Sequence, residues 1–120
     1  MANLVASSYK TKSNYTLDRV SLGDSDNTIE GADVVFVQDT ALTGERTVTV
    51  RNYDRARYGE YGPGVNKPVI IIKNAVAANV NNLVIKDVAG NTLYTFSADN
   101  SVTPAYIALR LKDDLTWELA

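Results

Sequence analysis

The chain contains no cysteine and no histidine. Without thiols there are no disulfide staples and no thiolate metal sites. Without imidazole there is no Ser-His-Asp or Cys-His nucleophile, no zinc-histidine centre and no side chain that titrates near neutrality. Most hydrolase templates fall with those two absences. Charge of one sign is scarce as well: 12 Lys+Arg stand against 14 Asp+Glu, a formal net charge of -2, and the two signs are scattered. No overall field draws the protein to a phosphate backbone or an anionic bilayer, so neither nucleic acid nor membrane is an expected partner. The opening MANLVASSYKTKSNY turns polar after five mildly apolar residues, too few for a signal h-region or a spanning helix. Synthesis in the cytoplasm without an export address is the expectation.

What is present is a chain of 120 residues, 45% hydrophobic, the size of one domain that buries roughly two-thirds of its unfolded surface. Residues 1–31 are rich in Ser, Thr, Asn and Asp, and their apolar members recur without a sustained period. This stretch reads as an arm with one short strand, Tyr15 to Ser21. From Asp33 onward short β-branched runs alternate with turn residues. Strands are expected at Val34–Gln38, Arg46–Asn52, Pro68–Asn74, Asn82–Asp87, Thr92–Ser97, Tyr106–Lys112 and Leu115–Leu119. Gly90-Asn91 supplies residues tolerant of positive φ and predicts a hairpin between Leu83–Val88 and Thr92–Ser97. Alternation puts Ile107, Leu109 and Leu111 on one face, and Leu115, Trp117 and Leu119 on another. PVIIIK is apolar in both directions, which places Val69–Ile72 in the middle of a sandwich or against another subunit. The periodicity argues an all-β, antiparallel, two-layered fold.

The stretch RNYDRARYGEYGPGVNK, Arg51 to Lys67, holds three arginines, three tyrosines and three glycines. Asp54 and Glu60 offset Arg51, Arg55 and Arg57, so the unopposed cations that phosphate contacts require are missing. Tyr and Arg are the residues that anchor protein interfaces, and contact with a partner protein is the leading reading. A solvated Ω-type loop and a glycan contact remain open. Tyr58 and Tyr61 are the expected anchors, with Arg55 and Arg57 beside them. In the arm, Tyr9, Tyr15 and Leu17 are too apolar for a purely solvated tail and are expected to lie on a neighbour.

Other chemistry is thin. Asp24, Asp26 and Glu30 in GDSDNTIEG invite a calcium reading, but counting from Asp24 the sixth position is Ile29 where an EF-hand loop needs glycine. No metal and no cofactor are expected. Asp33, Asp39, Asp87 and Asp99 sit at strand edges and turns and are not grouped as a glycosidase pair would be. No catalytic residue is assigned. Trp117 alternates with Leu115 and Leu119, which favours core or subunit interface over a sugar-stacking platform.

The order of segments resembles a module of tail fibres, tail spikes and other accessory virion proteins of tailed bacteriophages. Its texture is a strand of the DYVVLVDTS kind, then TVTLP, KVITIKN, an NNITI strand with a glycine-containing hairpin, and a last pair of the VTLVSDGTNWYLV kind. Here the matching stretches are ADVVFVQDT (Ala32–Thr40), RTVTVRN (Arg46–Asn52), KPVIIIKN (Lys67–Asn74), NNLVIKDVAGNTL (Asn81–Leu93) and YIALRLKDDLTWELA (Tyr106–Ala120). They cover about three-quarters of the chain. The resemblance implies a small β-sandwich, often trimeric, in a virus particle, with no catalysis. Two departures, the Arg51–Asn66 insertion and the polar arm, point away from a fibre tip and toward a free-standing capsid decoration (cement) protein.

The expectations are therefore an antiparallel, jelly-roll-like β-sandwich over residues 32–120 with an extended N-terminal arm over 1–31. The expected function is a non-enzymatic virion protein, made in the host cytoplasm, that sits on the capsid surface and stabilises the head by bridging capsid subunits. Its partners would be the major capsid protein and copies of itself in a homotrimer, with no small molecule. The alternative is a receptor-binding module of a tail fibre, spike or head fibre that recognises host surface glycan.

Overall fold

The computed structural model describes residues 2–5, 18–59, 67–76, 81–97 and 106–120. Among these, ten strands follow one another: β1 (Ala2–Val5), β2 (Asp18–Ser21), β3 (Asn27–Glu30), β4 (Val34–Gln38), β5 (Arg46–Val50), β6 (Val69–Asn74), β7 (Leu83–Asp87), β8 (Thr92–Phe96), β9 (Tyr106–Leu111) and β10 (Trp117–Leu119). One helical turn, α1 (Arg55–Tyr58), lies between β5 and β6. Sheet I has the order β1-β3-β5-β7-β8 and sheet II the order β10-β9-β6-β4-β2.

From β1 to β7 the strands alternate between the sheets, so members of one sheet run parallel: β1 with β3, β3 with β5, β5 with β7, and β2 with β4, β4 with β6. The chain winds as a two-sheet roll, and the strand in the opposite sheet serves as the crossover that a parallel pair requires. Only the C-terminal strands reverse, β8 against β7, β9 against β6 and β10 against β9. The antiparallel, jelly-roll-like expectation is thus corrected to two mixed sheets. Side-chain alternation has period two in either direction, so it carries the strands but not their polarity. The hairpin at Gly90 is antiparallel as read, with Gly90 at φ 90. The 1–31 boundary is corrected too, because β2 and β3 are integral members of sheets II and I.

Both sheets send alternate residues into one apolar cluster. Sheet I supplies Ile29, Val48, Leu83, Ile85 and Phe96; sheet II supplies Val34, Phe36, Ile70, Ile72, Leu109 and Trp117. Each large aliphatic or aromatic side chain buried this way contributes about 1.5–3 kcal/mol, and this cluster is what holds the two sheets face to face. At one edge of the roll, polar side chains tie the turns of successive coils together. Gln38 donates to the carbonyls of Gly23 (2.6 Å) and Thr40 (2.8 Å), and Asn81 donates to Leu42 (2.8 Å). At the other edge, the tight turn Gly31–Asp33 is closed by Asp33 at φ 55, a left-handed conformation that a short polar side chain tolerates. Its N–H donates to Val69 (2.8 Å) and its carboxylate accepts from the Val69 N–H (3.2 Å), which joins one coil to the next.

Candidate functional site

Parallel register decides which connections share an edge. Glu30 lies beside Val5, Ile29 lies beside Val50, and Asp18, Val34 and Ile70 are in register. The connections 6–17, 31–33 and 51–68 therefore all leave the ends of sheet I strands and enter the starts of stacked sheet II strands. The hairpin turns after β7 and after β9 fall at the same edge. Strand alternation alone thus puts Val5 and Asp18, which flank residues 6–17, at the same edge as the described part of the insertion, Arg51 to Gly59.

Within the insertion, Asp54 caps α1: its carboxylate accepts from the N–H groups of Ala56 (2.9 Å) and Arg57 (3.2 Å), the usual way of satisfying orphan donors at a helical start. Gly59, at φ 90, ends the turn and donates to Arg55. One helical turn separates the side chains by chemistry. Tyr58 points inward and is 1% exposed, while Arg55 and Arg57 are exposed. Tyr58 packs on Tyr53 with ring centroids 6.1 Å apart, and Tyr53 meets Trp117 edge-on at 6.5 Å. The Tyr53 hydroxyl donates to Gly59, and its N–H donates to Leu115 (2.8 Å).

This overturns the reading of Tyr58 as a surface anchor. Burying a large aromatic ring against Tyr53 favours folding the short turn onto the core, and Tyr58 joins the core cluster below the insertion. Burial, followed by the nearby Glu30 charge, pushes its hydroxyl pKa above the ordinary tyrosine value. Arg55 and Arg57 lie exposed on the outer side of the turn. Tyr61, Tyr9, Tyr15 and Leu17 lie outside the described residues.

Glu30 is a site residue that the sequence reading assigned elsewhere. It ends β3 with a side chain only 6% exposed, and one of its oxygens takes Arg57 at 3.3 Å and Arg51 at 3.9 Å. Both guanidinium groups are half exposed, so a buried acid fixes two cations whose outer surfaces face water. Nothing in the order of residues signals this, because Glu30 and Arg57 meet through coil stacking across 27 positions. The calcium reading dissolves for the same reason. Asp24 is engaged by Arg46 (2.9 Å) and Thr43, Asp26 accepts from the Thr47 N–H (2.9 Å), and Glu30 is at the opposite edge. Among the described residues no cluster of acids, histidines or cysteines is arranged to hold a metal ion.

Two depressions mark the surface. One, of about 410 Å³, is bordered by Lys67, Val69, Arg110, Lys112 and Glu118, and two of its three bases are engaged, Lys67 by Asp113 and Arg110 by Glu118. The other, of about 350 Å³, runs along Tyr94, Tyr106, Ile107, Ala108 and Leu119. Comparison of the chain with family models, curated proteins and solved structures returned no match.

Proposed function

We propose that this chain is a non-enzymatic structural protein of a bacteriophage virion, a capsid decoration protein that stabilises the head by bridging capsid subunits. The observation that carries the reading is that Arg51, Arg55 and Arg57 stand exposed at the edge of the roll where the ends of β1, β3 and β5 meet the starts of β2, β4 and β6. An edge that presents Arg51, Arg55 and Arg57 above a rigid aromatic base suits protein contact. Arginine forks recognise carboxylates and peptide carbonyls, and a base already packed into the core loses little entropy on binding. The segment order that resembles virion modules supports the particle as the setting. Bridging neighbours acts by mass action, since a partner that binds only the assembled lattice shifts the equilibrium toward it.

The test is mass spectrometry of purified virions, followed by add-back of the protein to particles lacking it. Hundreds of copies per particle and a raised particle melting temperature are expected. A handful of copies per particle would refute decoration. Replacing Arg55 and Arg57 with alanine should reduce occupancy while leaving the circular dichroism spectrum unchanged.

A second reading, a receptor-binding module for host glycan, is favoured by the groove that holds Tyr94 and the exposed Tyr106, since aromatic faces stack on sugar rings. Signal on a glycan array that disappears on Tyr106→Ala, without affinity for empty capsids, would select it.

A further inference from the structure

One buried acid at the root of the insertion gathers two cations. Glu30 Oε1 lies 3.3 Å from Nη1 of Arg57 and 3.9 Å from Nη1 of Arg51. The acid is almost fully buried, and both guanidinium groups are half exposed. A carboxylate carries one negative charge and cancels one guanidinium, so this cluster keeps a surplus of one positive charge. Among the described residues, no other acid forms an ion pair with either arginine. Nearby bases have acids of their own, Lys67 on Asp113 and Arg110 on Glu118. Donor capacity is in surplus as well. Arg57 gives one N–H to Glu30, while Arg51, at 3.9 Å, is too far for a hydrogen bond and makes no other side-chain bond among the described residues. Both arginines rise from a fixed main chain. The Arg51 N–H donates to Ile29 (2.9 Å) and its carbonyl accepts from Trp117, and the Arg57 N–H is bonded to Asp54.

We propose that Arg51 and Arg57 form a seat for one carboxylate, supplied by an acidic side chain of the partner protein. The source of the carboxylate rests on the protein-contact reading above; the seat rests on the cluster itself. Charge selects a monoanion. One added negative charge brings the two guanidinium groups and Glu30 to zero, whereas a sulfate dianion overshoots. Shape selects a carboxylate, whose paired oxygens match the planar N–H forks of arginine. Glu30 is a positioning residue. Buried beneath the pair, it holds together two cations that would otherwise repel one another, and it leaves their outer N–H groups to the ligand. A seat ordered in this way before binding loses little side-chain entropy when it is filled.

The test is NMR of the full chain, following the arginine Nε–Hε signals during titration with blocked aspartate (N-acetyl-aspartate N-methylamide) at fixed ionic strength. Saturable shifts at Arg51 and Arg57 are expected, with no shift at Arg19, an exposed arginine on β2. Arg51→Gln should weaken uptake about threefold, the worth of one exposed ion pair; Arg57→Gln is the second variant should the first misfold. Sodium sulfate is the second probe. Glu30→Gln removes the central negative charge and should raise sulfate affinity relative to blocked aspartate at least about threefold, a change of preference that loosening of the insertion alone would not produce. Shifts that grow without saturating, equal shifts at Arg19, or a preference unmoved by Glu30→Gln would each overturn the proposal. Particle occupancy separates the seat from the function. A chain that takes blocked aspartate here but never decorates capsids would sink the function and leave the seat standing. Decoration unaltered by Arg51→Gln would leave the function standing and sink the assignment of the seat to a partner's acid.

Discussion

The indole N–H of Trp117 donates to the main-chain carbonyl of Arg51 across 3.1 Å. That bond fastens the last strand to the root of the insertion, and the Tyr53 N–H bond to Leu115 fastens it a second time. The insertion is therefore partly core. Its inner residues belong to the folding of the domain, and its arginines lie on the outer side, Arg51 and Arg57 on Glu30.

Truncating Trp117 should be costly. Trp117→Ala removes a 3%-exposed ring that contacts Tyr53 and leaves the Arg51 carbonyl without its donor, so a loss of about 3–5 kcal/mol is expected from urea unfolding. Trp117→Phe keeps most of the apolar volume but loses the N–H bond, and should cost about 1–2 kcal/mol. A Phe variant as damaging as the Ala variant would mean that the hydrogen bond, and not the ring volume, dominates.

Tyr58 and Arg55 should separate fold from binding. Tyr58→Ala opens a cavity beneath α1 and should destabilise by about 3 kcal/mol or more. Arg55→Ala changes an exposed side chain and should stay within about 0.5 kcal/mol. Paired melts of the two variants check this directly. Equal stability of the two would restore Tyr58 as a surface anchor.

Stability should form a broad plateau against pH. The Arg46 guanidinium holds the Asp24 carboxyl below the usual carboxylate range, the Asn91 N–H does the same for Asp87, and the Thr116 hydroxyl does the same for Asp114. A depressed folded pKa gives stability that is present above the unfolded value and lost as pH falls through the folded one. The Tyr58 hydroxyl shifts the other way, chiefly through burial. Its contribution is complete below the ordinary tyrosine value and is lost as pH rises through the higher folded one. With no histidine in the chain, the melting temperature should stay flat from roughly pH 5 to pH 9. Asp24→Asn should soften the acid limb and leave the alkaline limb alone.

Much of the strand content was legible in the residues. Val34–Gln38 is found as read, and the strands at Arg46, Pro68, Asn82, Thr92 and Tyr106 differ from the reading by one or two residues at their ends. Strand polarity was not legible. Alternation sorts Ile70 and Ile72 from Ile71 equally well beside a parallel or an antiparallel neighbour, and only the three-dimensional crossover tells them apart. Strand β3 escaped notice because NTIE carries a single aliphatic residue. Its inward Asn27 is accommodated by the Leu22 and Ser25 carbonyls of its own turn (3.0 Å each). The turn α1 is too short for a helical period to register. The site was legible in part: the Arg/Tyr composition marked the insertion, but which tyrosine faced inward depended on Trp117, more than fifty residues away.

Glu30 offers the sharpest view of how the insertion is held. Its buried carboxylate takes Arg57 and, at longer range, Arg51. Removing one member of a fully buried pair costs about 3–5 kcal/mol, but both arginines are half exposed and water screens them, so Glu30→Gln should cost only about 1–2 kcal/mol. The loss should be local. The amides of Tyr58 and Gly59, bonded to Asp54 (2.9 Å) and Arg55 (3.0 Å), should exchange faster by about tenfold or more, while those of β4 and β6 keep their protection. In the double variant Glu30→Gln with Arg57→Ala, the second substitution should add little, because the bond it removes is already broken. Uniform loss of protection across β4, β6 and α1 would show instead that the insertion and the sheets open as one unit, and that the ion pair has no separate hold on the arginine edge.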